Sequence, residues 1–314
     1  MTAGEPDPPL AGVTREEVRR VFEANDYVAE EEIVTTTLLA LRLGKPLLIE
    51  GQPGAGKTEL AKVLAAGFGS ELVRLQCYEG LAAENTLYEW NYTKQLLAVQ
   101  AGEAGAGAGE DDPDSVFDEG FLLERPLLRA LRADGERPPV LLIAEVDRAD
   151  EEFEALLLEV LSDFQVSVPE LGTVSATVPP VVVITSNRTR GLSDALKRRC
   201  LFLHVEPPSF EKEKAILERK VPELDGAVAA EICGMAERLR EEPFLKQPGA
   251  AETIDWARAV AALRADGEGS LDREEVETTL GCLLKEVEDV ERVDESLIEE
   301  LLASAREARG RAEG

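Results

Sequence analysis

Residues 46–66 constrain this chain more than any other stretch. The apolar run Leu47-Leu48-Ile49 leads into Gly51-Gln-Pro-Gly54-Ala-Gly56-Lys57-Thr58, and Glu59-Leu-Ala-Lys-Val-Leu-Ala-Ala66 follows. The order reads as strand, glycine loop, helix. A phosphate chain needs backbone N–H groups pointing one way, a turn without Cβ atoms, and the positive end of a helix dipole. Gly51, Gly54 and Gly56 supply the turn, and the binding segment runs from Gly51 through Pro53 and Ala55 to Glu59. Lys57 is spaced to reach β- and γ-phosphates, and the Thr58 hydroxyl to sit on Mg²⁺. A glycine turn that only joins two elements would not need Lys and Thr at those offsets.

Composition narrows the class. At 314 residues the chain exceeds the size at which one core keeps growing, so a large α/β unit with a smaller second unit is expected. Lys+Arg 34 against Asp+Glu 63 gives a net charge of −29, which repels phosphate backbones and argues against nucleic acid as the main partner. Cys77, Cys200, Cys233 and Cys282 lie far apart without a C-x-x-C pair, against a zinc ribbon or a secreted disulfide scaffold and in keeping with a cytoplasmic protein. The single histidine, His204, reads as a packed strand residue. No apolar run approaches the length of a membrane span.

Along the chain, Thr14 with Glu17 forms a capping box for a helix over 15–24 after a loose start, 1–13. A second helix is expected over 30–43, closed by Gly44 and Pro46, and strands over 72–77, 139–146, 180–184 and 201–205. Helices are expected over 120–131, 151–161 and 192–199, and a β-hairpin over 163–177. Residues 86–100 hold Leu87, Tyr88, Trp90, Tyr92, Leu96, Leu97 and Val99, either core or a surface for another protein. The Gly/Ala run 101–109 after it reads as a flexible loop. Strands alternating with helices around a glycine loop give a doubly wound parallel sheet of the P-loop kind over 14–207, with ligand at the strands' carboxyl ends. Beyond Pro207-Pro208 only helical periodicity remains, over 211–220, 226–241, 253–265, 270–287 and 294–308, so 208–314 is read as an all-helical second domain. Asp266 to Glu275 resembles the later part of an EF-hand loop, but Arg264 would occupy its first ligand position, and a plain helix connection is the better reading.

Hydrolysis of a phosphoanhydride needs the γ-phosphate held, its charge offset, and a water aimed in line. Glu145, at the tip of an apolar strand, is the residue to polarise that water. Asn187, at another strand end, either bonds the γ-phosphate or water or is a turn residue. Lys197-Arg198-Arg199 supplies either helix-dipole partners or an arginine finger for a nucleotide on an adjacent subunit, and Arg258 either a phosphate contact or a solvated helix face.

Taken together, Gly51 to Thr58, Val140 to Glu145, Asn187, Arg199 and the helical tail resemble an AAA+ ATPase. The strings at 43–51, Glu-Val-Asp-Arg-Ala-Asp (145–150), 157–163 and Val-Pro-Glu-Leu-Gly-Thr-Val (168–174) look like the MoxR family. Tyr-Glu-Gly-Leu (78–81), Leu-Tyr-Glu-Trp-Asn-Tyr (87–92) and Arg-Arg-Cys-Leu-Phe (198–202) look like its CoxD-like branch. The resemblance spans roughly 14–290. It implies ATP and Mg²⁺ as ligands, a five-stranded sheet, an insertion over 81–109 and a hexameric ring with nucleotide between subunits. It also implies Asn187 as sensor 1, Arg199 as finger, Arg258 as sensor 2 and Lys57 among the catalytic groups. A metalloenzyme client, such as a molybdenum hydroxylase, and a von Willebrand factor A domain partner also follow by analogy. One departure matters. The family's strand ends Asp-Glu, and this chain has Ala144-Glu145. Loss of that carboxylate weakens metal binding and hydrolysis, and strand alternation does not put Asp147 on the side it occupied. A nucleotide-binding scaffold that barely hydrolyses ATP is therefore the rival reading, and a clamp-loader-like DNA ATPase a third that conflicts with the charge.

Overall fold

The computed structural model describes residues 8–82, 84–101, 119–168, 172–264 and 269–313. Contacts divide the chain into two compact units. One comprises Met1–Val21, Glu30–Glu50 and Thr58–His204; the other comprises Phe22–Ala29, Gly51–Lys57 and Val205–Gly314.

The first unit is built on a five-stranded sheet in the order β2-β5-β8-β1-β9. Its strands are β1 (Leu47–Gly51), β2 (Leu72–Gln76), β5 (Val140–Ala144), β8 (Val181–Ser186) and β9 (Leu201–Val205). The pairs β2–β5, β5–β8 and β1–β8 are parallel. Every residue of β1 and β5 is buried, the signature of central strands covered on both faces. At the edges, β2 and β9 alternate buried and accessible residues.

Helices α1 (Arg15–Ala24), α2 (Glu31–Leu43), α3 (Lys57–Phe68), α5 (Pro126–Leu131), α6 (Glu151–Asp163) and α7 (Asp194–Arg199) accompany the sheet. The Thr14–Glu17 capping box forms as expected: Thr14 N–H donates to Glu17 Oε2 at 2.8 Å and Glu17 N–H to Thr14 Oγ1 at 3.2 Å. Gly44 ends α2 in the left-handed conformation, φ +61°, where glycine bears no Cβ penalty. Helix α6 buries Phe153, Leu157, Val160 and Leu161 in a core shared with Leu48, Leu141, Ile143 and Ile184 of the sheet.

Several expectations need correction. Residues 120–131 are not one helix: β4 (Leu122–Glu124) pairs antiparallel with β3 (Tyr88–Trp90) before α5 begins. Pro126 at the first helical turn permits only the second half to coil. His204 lies in β9 but is exposed with Phe202, because the alternating edge strand turns both outward. The cluster over 86–100 divides: Leu87 and Trp90 are buried, whereas Tyr92, Leu96 and Leu97 on α4 (Tyr92–Ala101) are 68%, 59% and 59% exposed. The hairpin appears as β6 (Gln165–Val168) and β7 (Gly172–Ser175). The Gly/Ala run from 102 onward, and residues 266–268 at the start of the EF-hand-like stretch, lie outside the described residues.

The second unit is helical from Val205 on: α8 (Phe210–Lys220), α9 (Gly226–Arg240), α10 (Ala250–Leu263), α11 (Arg273–Thr279), α12 (Val287–Glu291) and α13 (Glu295–Glu313). The stretch expected as one helix over 270–287 is broken. Asp272 and Glu275 cap α11 reciprocally, and the chain then turns through Leu280–Cys282. The Thr279 hydroxyl at that break accepts the Trp256 indole N–H at 2.7 Å. Trp256, Leu217, Ile232, Val276 and Leu301 form this unit's core.

Candidate nucleotide site

The glycine loop belongs to the helical unit by its contacts. Gly54 and Gly56 hold φ of +80° and +83°, where any other residue costs about 1 kcal/mol or more. Gly51 is required for a different reason, since a Cβ there would lie 2.3 Å from the Val205 carbonyl oxygen. Residues Gln52–Ala55 line a cavity of about 220 Å³ with Pro207, Arg240 and the Pro248–Ala250 segment. A Cβ on Gly54 would meet Gly249 Cα at 3.2 Å and Glu252 Oε2 at 3.3 Å.

Lys57 is buried, 7% exposed, and its ammonium donates to the Gly51 and Gln52 carbonyls at 2.8 and 2.7 Å. It thus lies folded over the loop at the start of α3. First-turn amides of a helix lack intrahelical acceptors and the dipole there is positive, so a Cβ-free loop, an ammonium and a helix start fit a phosphate chain. Thr58 follows, half-buried, and Glu59 pairs with Lys62 at 3.3 Å.

Arg240 holds the loop's neighbour in place. Its guanidinium forks onto Glu213 at 2.7 and 2.6 Å, and donates to Thr253 Oγ1 at 3.0 Å and to the Pro248 carbonyl at 2.7 Å. Arg258 is exposed and pairs with Asp255 at 3.4 Å.

In the first unit, Glu145 and Asn187 stand at the carboxyl ends of the adjacent strands β5 and β8. Glu145 adopts a left-handed backbone, φ +57°, ψ +49°, an uncommon conformation for a residue with a Cβ. Its N–H donates to Thr185 Oγ1 at 3.1 Å and its carboxylate pairs with Arg148 at 3.5 Å. Asp147, 2% exposed, accepts Asn187 N–H at 3.1 Å, Thr189 N–H at 2.8 Å and the Thr189 hydroxyl at 2.7 Å. Burial alone would raise the Asp147 pKa; the Thr189 and Asn187 donors outweigh it and hold the carboxyl below its ordinary range. Cys77 is fully buried nearby, its N–H on the Ala144 carbonyl. Burial, with the charges of Asp147 and Glu145, pushes its thiol up to about 12. Arg199 is exposed at the end of α7 and donates to Ser162 Oγ at 3.0 Å and to the Ala195 carbonyl at 3.2 Å.

For a divalent cation the donor set is thin. Ala144 is 1% exposed and offers no side-chain oxygen, and both carboxylate oxygens of Asp147 are engaged. Among the described residues no group of three His, Cys, Asp or Glu is placed to hold a metal ion. The Thr58 hydroxyl, one residue into α3, is a protein oxygen that would suit Mg²⁺, with phosphate and water oxygens completing the shell.

The structure therefore gathers the glycine loop and Lys57 in one unit, and Glu145 and Asn187 in the other, and gives Arg199 and Arg258 surface partners within the chain. Sequence reading missed Asp147 and Arg240 as organising residues. Their partners lie 40, 42 and 27 residues away, and no local pattern reports them.

Residues 46–200 match the AAA domain, dynein-related subfamily, and the parallel five-stranded sheet followed by a helical region has the fold of AAA+ P-loop proteins. It is 27% identical over 224 residues to the uncharacterized protein SH1500 of Staphylococcus haemolyticus, covering 69% of this chain and 76% of that one. It is 35% identical over 69 residues to YojN of Bacillus subtilis, covering 22% and 23%. Among solved structures it is similar to the RuvB Holliday junction branch migration motor of Thermotoga maritima, with TM-score 0.44 and 19% identity over 93% of this chain and 76% of that one. A single-residue mutant of the same protein gives TM-score 0.48 and 18% identity, over 93% and 77%. Among the described residues no helix is long and apolar enough to cross a membrane.

Proposed function

We propose that this chain binds and hydrolyses ATP, assembles into a hexameric ring, and uses turnover to remodel a protein client in the maturation of a metalloenzyme. The observation that carries the nucleotide reading is the loop itself: Gly54 and Gly56 at positive φ, with the Lys57 ammonium on loop carbonyls at the start of α3. In this reading the segment from Gly51 to Glu59 and Lys57 hold the phosphates, and Thr58 ligates Mg²⁺, whose charge offsets that of the phosphates. Glu145 polarises the attacking water and Asn187 bonds the γ-phosphate or that water. Arg199 acts from a neighbouring subunit and Arg258 from the helical domain, taken as 208–314 after an α/β core over 14–207. The client class, a molybdenum hydroxylase or similar enzyme, and a von Willebrand factor A domain partner rest on the MoxR-like and CoxD-like strings. A cytoplasmic location fits the spaced cysteines. The net charge of −29 opposes a nucleic-acid substrate.

A second reading is favoured by one observation. Ala144 replaces a metal-orienting carboxylate and Asp147 is fully committed elsewhere, so a ring that binds ATP and turns it over barely at all also fits. Steady-state phosphate release decides between them. The hydrolytic reading expects turnover in wild type, a fall of about 100-fold or more in Glu145→Gln, and a gain in Ala144→Asp. Equal, near-zero rates in wild type and Glu145→Gln establish the scaffold. A von Willebrand factor A protein or a metalloenzyme encoded beside this gene would support the client assignment.

A further inference from the structure

We propose that Asp147 is a positioning residue for Asn187, fixing it to the end of β5 so that the strand exits carrying Glu145 and Asn187 move as one piece. This rests on the nucleotide-binding reading above. Asp147 sits in the single turn Val146–Arg148 that follows Glu145. Its Oδ1 takes the Asn187 N–H, and its Oδ2 takes both the N–H and the hydroxyl of Thr189. One buried carboxylate thus brackets the residue between them, Arg188, which is left-handed at φ +61°. A non-glycine residue holds that conformation only where its surroundings over-determine it. Two further contacts act on it: Ser186 Oγ accepts Arg188 N–H at 3.0 Å, and the Arg188 guanidinium lies 3.6 Å from Glu50, a carboxylate only 7% exposed near the end of β1. Since β8 lies between β5 and β1, its exit is tied on both sides. Glu145 is itself left-handed and bonded to Thr185 of β8. The turn at Asp147 therefore joins two strained backbone reversals, and hydrogen bonds to a buried carboxylate are strong enough to hold them. An ordinary turn asparagine needs no such clamp.

The test is nucleotide discrimination, measured as the ratio of the ADP Kd to the Kd of β,γ-imido-ATP, which needs no turnover. Asn187→Ala should lower this ratio about 10-fold, the loss of one hydrogen bond to a charged group. Asp147→Asn should lower it by a similar factor, with ADP affinity unchanged. In the double variant Asp147→Asn should add less than about twofold, because its effect passes through Asn187. Should Asp147→Asn not fold, Thr189→Val keeps the Asn187 bond and removes one donor, and should give a smaller fall that Thr189→Ser restores. A wild-type ratio in a folded Asp147→Asn or Thr189→Val protein, or full additivity with Asn187→Ala, overturns the inference and leaves nucleotide binding standing. Failure of the wild type to bind either nucleotide overturns both.

Discussion

Lys57 closes back on Gly51: its ammonium donates to that carbonyl at 2.8 Å, and to the neighbouring Gln52 carbonyl at 2.7 Å. The cation thus lies on the loop it would use to hold a phosphate, buried and with two carbonyl acceptors. A nucleotide exchanges carbonyl acceptors for charged ones, and charge-assisted bonds are the stronger. Lys57→Met keeps the buried stem and removes the charge, so the ATP Kd should rise about 10- to 100-fold, the equivalent of about 1.5–3 kcal/mol. Calorimetric titration measures it, and an unaltered Kd would show that phosphate does not bind at this loop.

Ala144→Asp introduces a carboxylate at the end of β5. Ala144 is 1% exposed and in register with Gln76, with the raised thiol of Cys77 beside it. An uncompensated buried charge costs about 3–5 kcal/mol, so in EDTA the variant's Tm should drop by about 5–10 °C. Mg²⁺ with ATP should recover much of the loss in this variant and far less of any shift in wild type. Calorimetric melts with and without Mg²⁺ make the comparison; an equal response in both proteins would mean that position 144 does not face the metal.

The sheet was legible because its strands carry the patterns that burial imposes. The runs at 47–49 and 140–143 are apolar on both faces and became central strands, and Gly51-x-x-x-x-Gly56-Lys57-Thr58 could serve only a loop opening a helix. The capping box at Thr14 and Glu17 is equally local. What stayed hidden was set by distant chain. Nothing around His204 says that β9 is an edge with one face uncovered, and a periodic stretch at 120–131 conceals a strand that exists only because β3 pairs with it. The clamp on Asn187 is invisible for the same reason. Arithmetic on strand alternation removed Asp147 as a metal ligand, yet its use as an acceptor for residues 187 and 189 needed the fold.

Arg240 and Glu213 form the buried pair on which the helical unit's loop-facing segment depends. Glu213 is 1% exposed, and Arg240 also holds the Pro248 carbonyl and Thr253. Arg240→Met strands that carboxylate and should destabilise by about 3–5 kcal/mol, read as a lower urea midpoint. Adding Glu213→Leu should recover a large part, since a buried pair replaced by apolar groups is often close to neutral. If the double variant is no better than the single, the loss comes from the Pro248 and Thr253 bonds and not from the stranded charge.

Acid should attack the strand-end clamp. Asp147 has a folded pKa held below its ordinary value by the Thr189 and Asn187 donors, against the opposing effect of burial. The unfolded chain therefore takes up this proton first as pH falls. The contribution is complete above the unfolded pKa of about 3.9 and is lost as pH drops through the lower folded value. Other carboxylates are lowered too, Glu17 by Thr14 and Glu275 by Arg264, so the raw acid transition mixes several groups. The difference in urea midpoint between wild type and Asp147→Asn isolates this one. It should be constant from pH 7 to about 5 and shrink toward pH 2.5, since protonated Asp147 can no longer accept every donor that Asn also fails to match. A difference that stays constant to pH 2.5 would mean that Asp147 does not ionise differently in the folded chain.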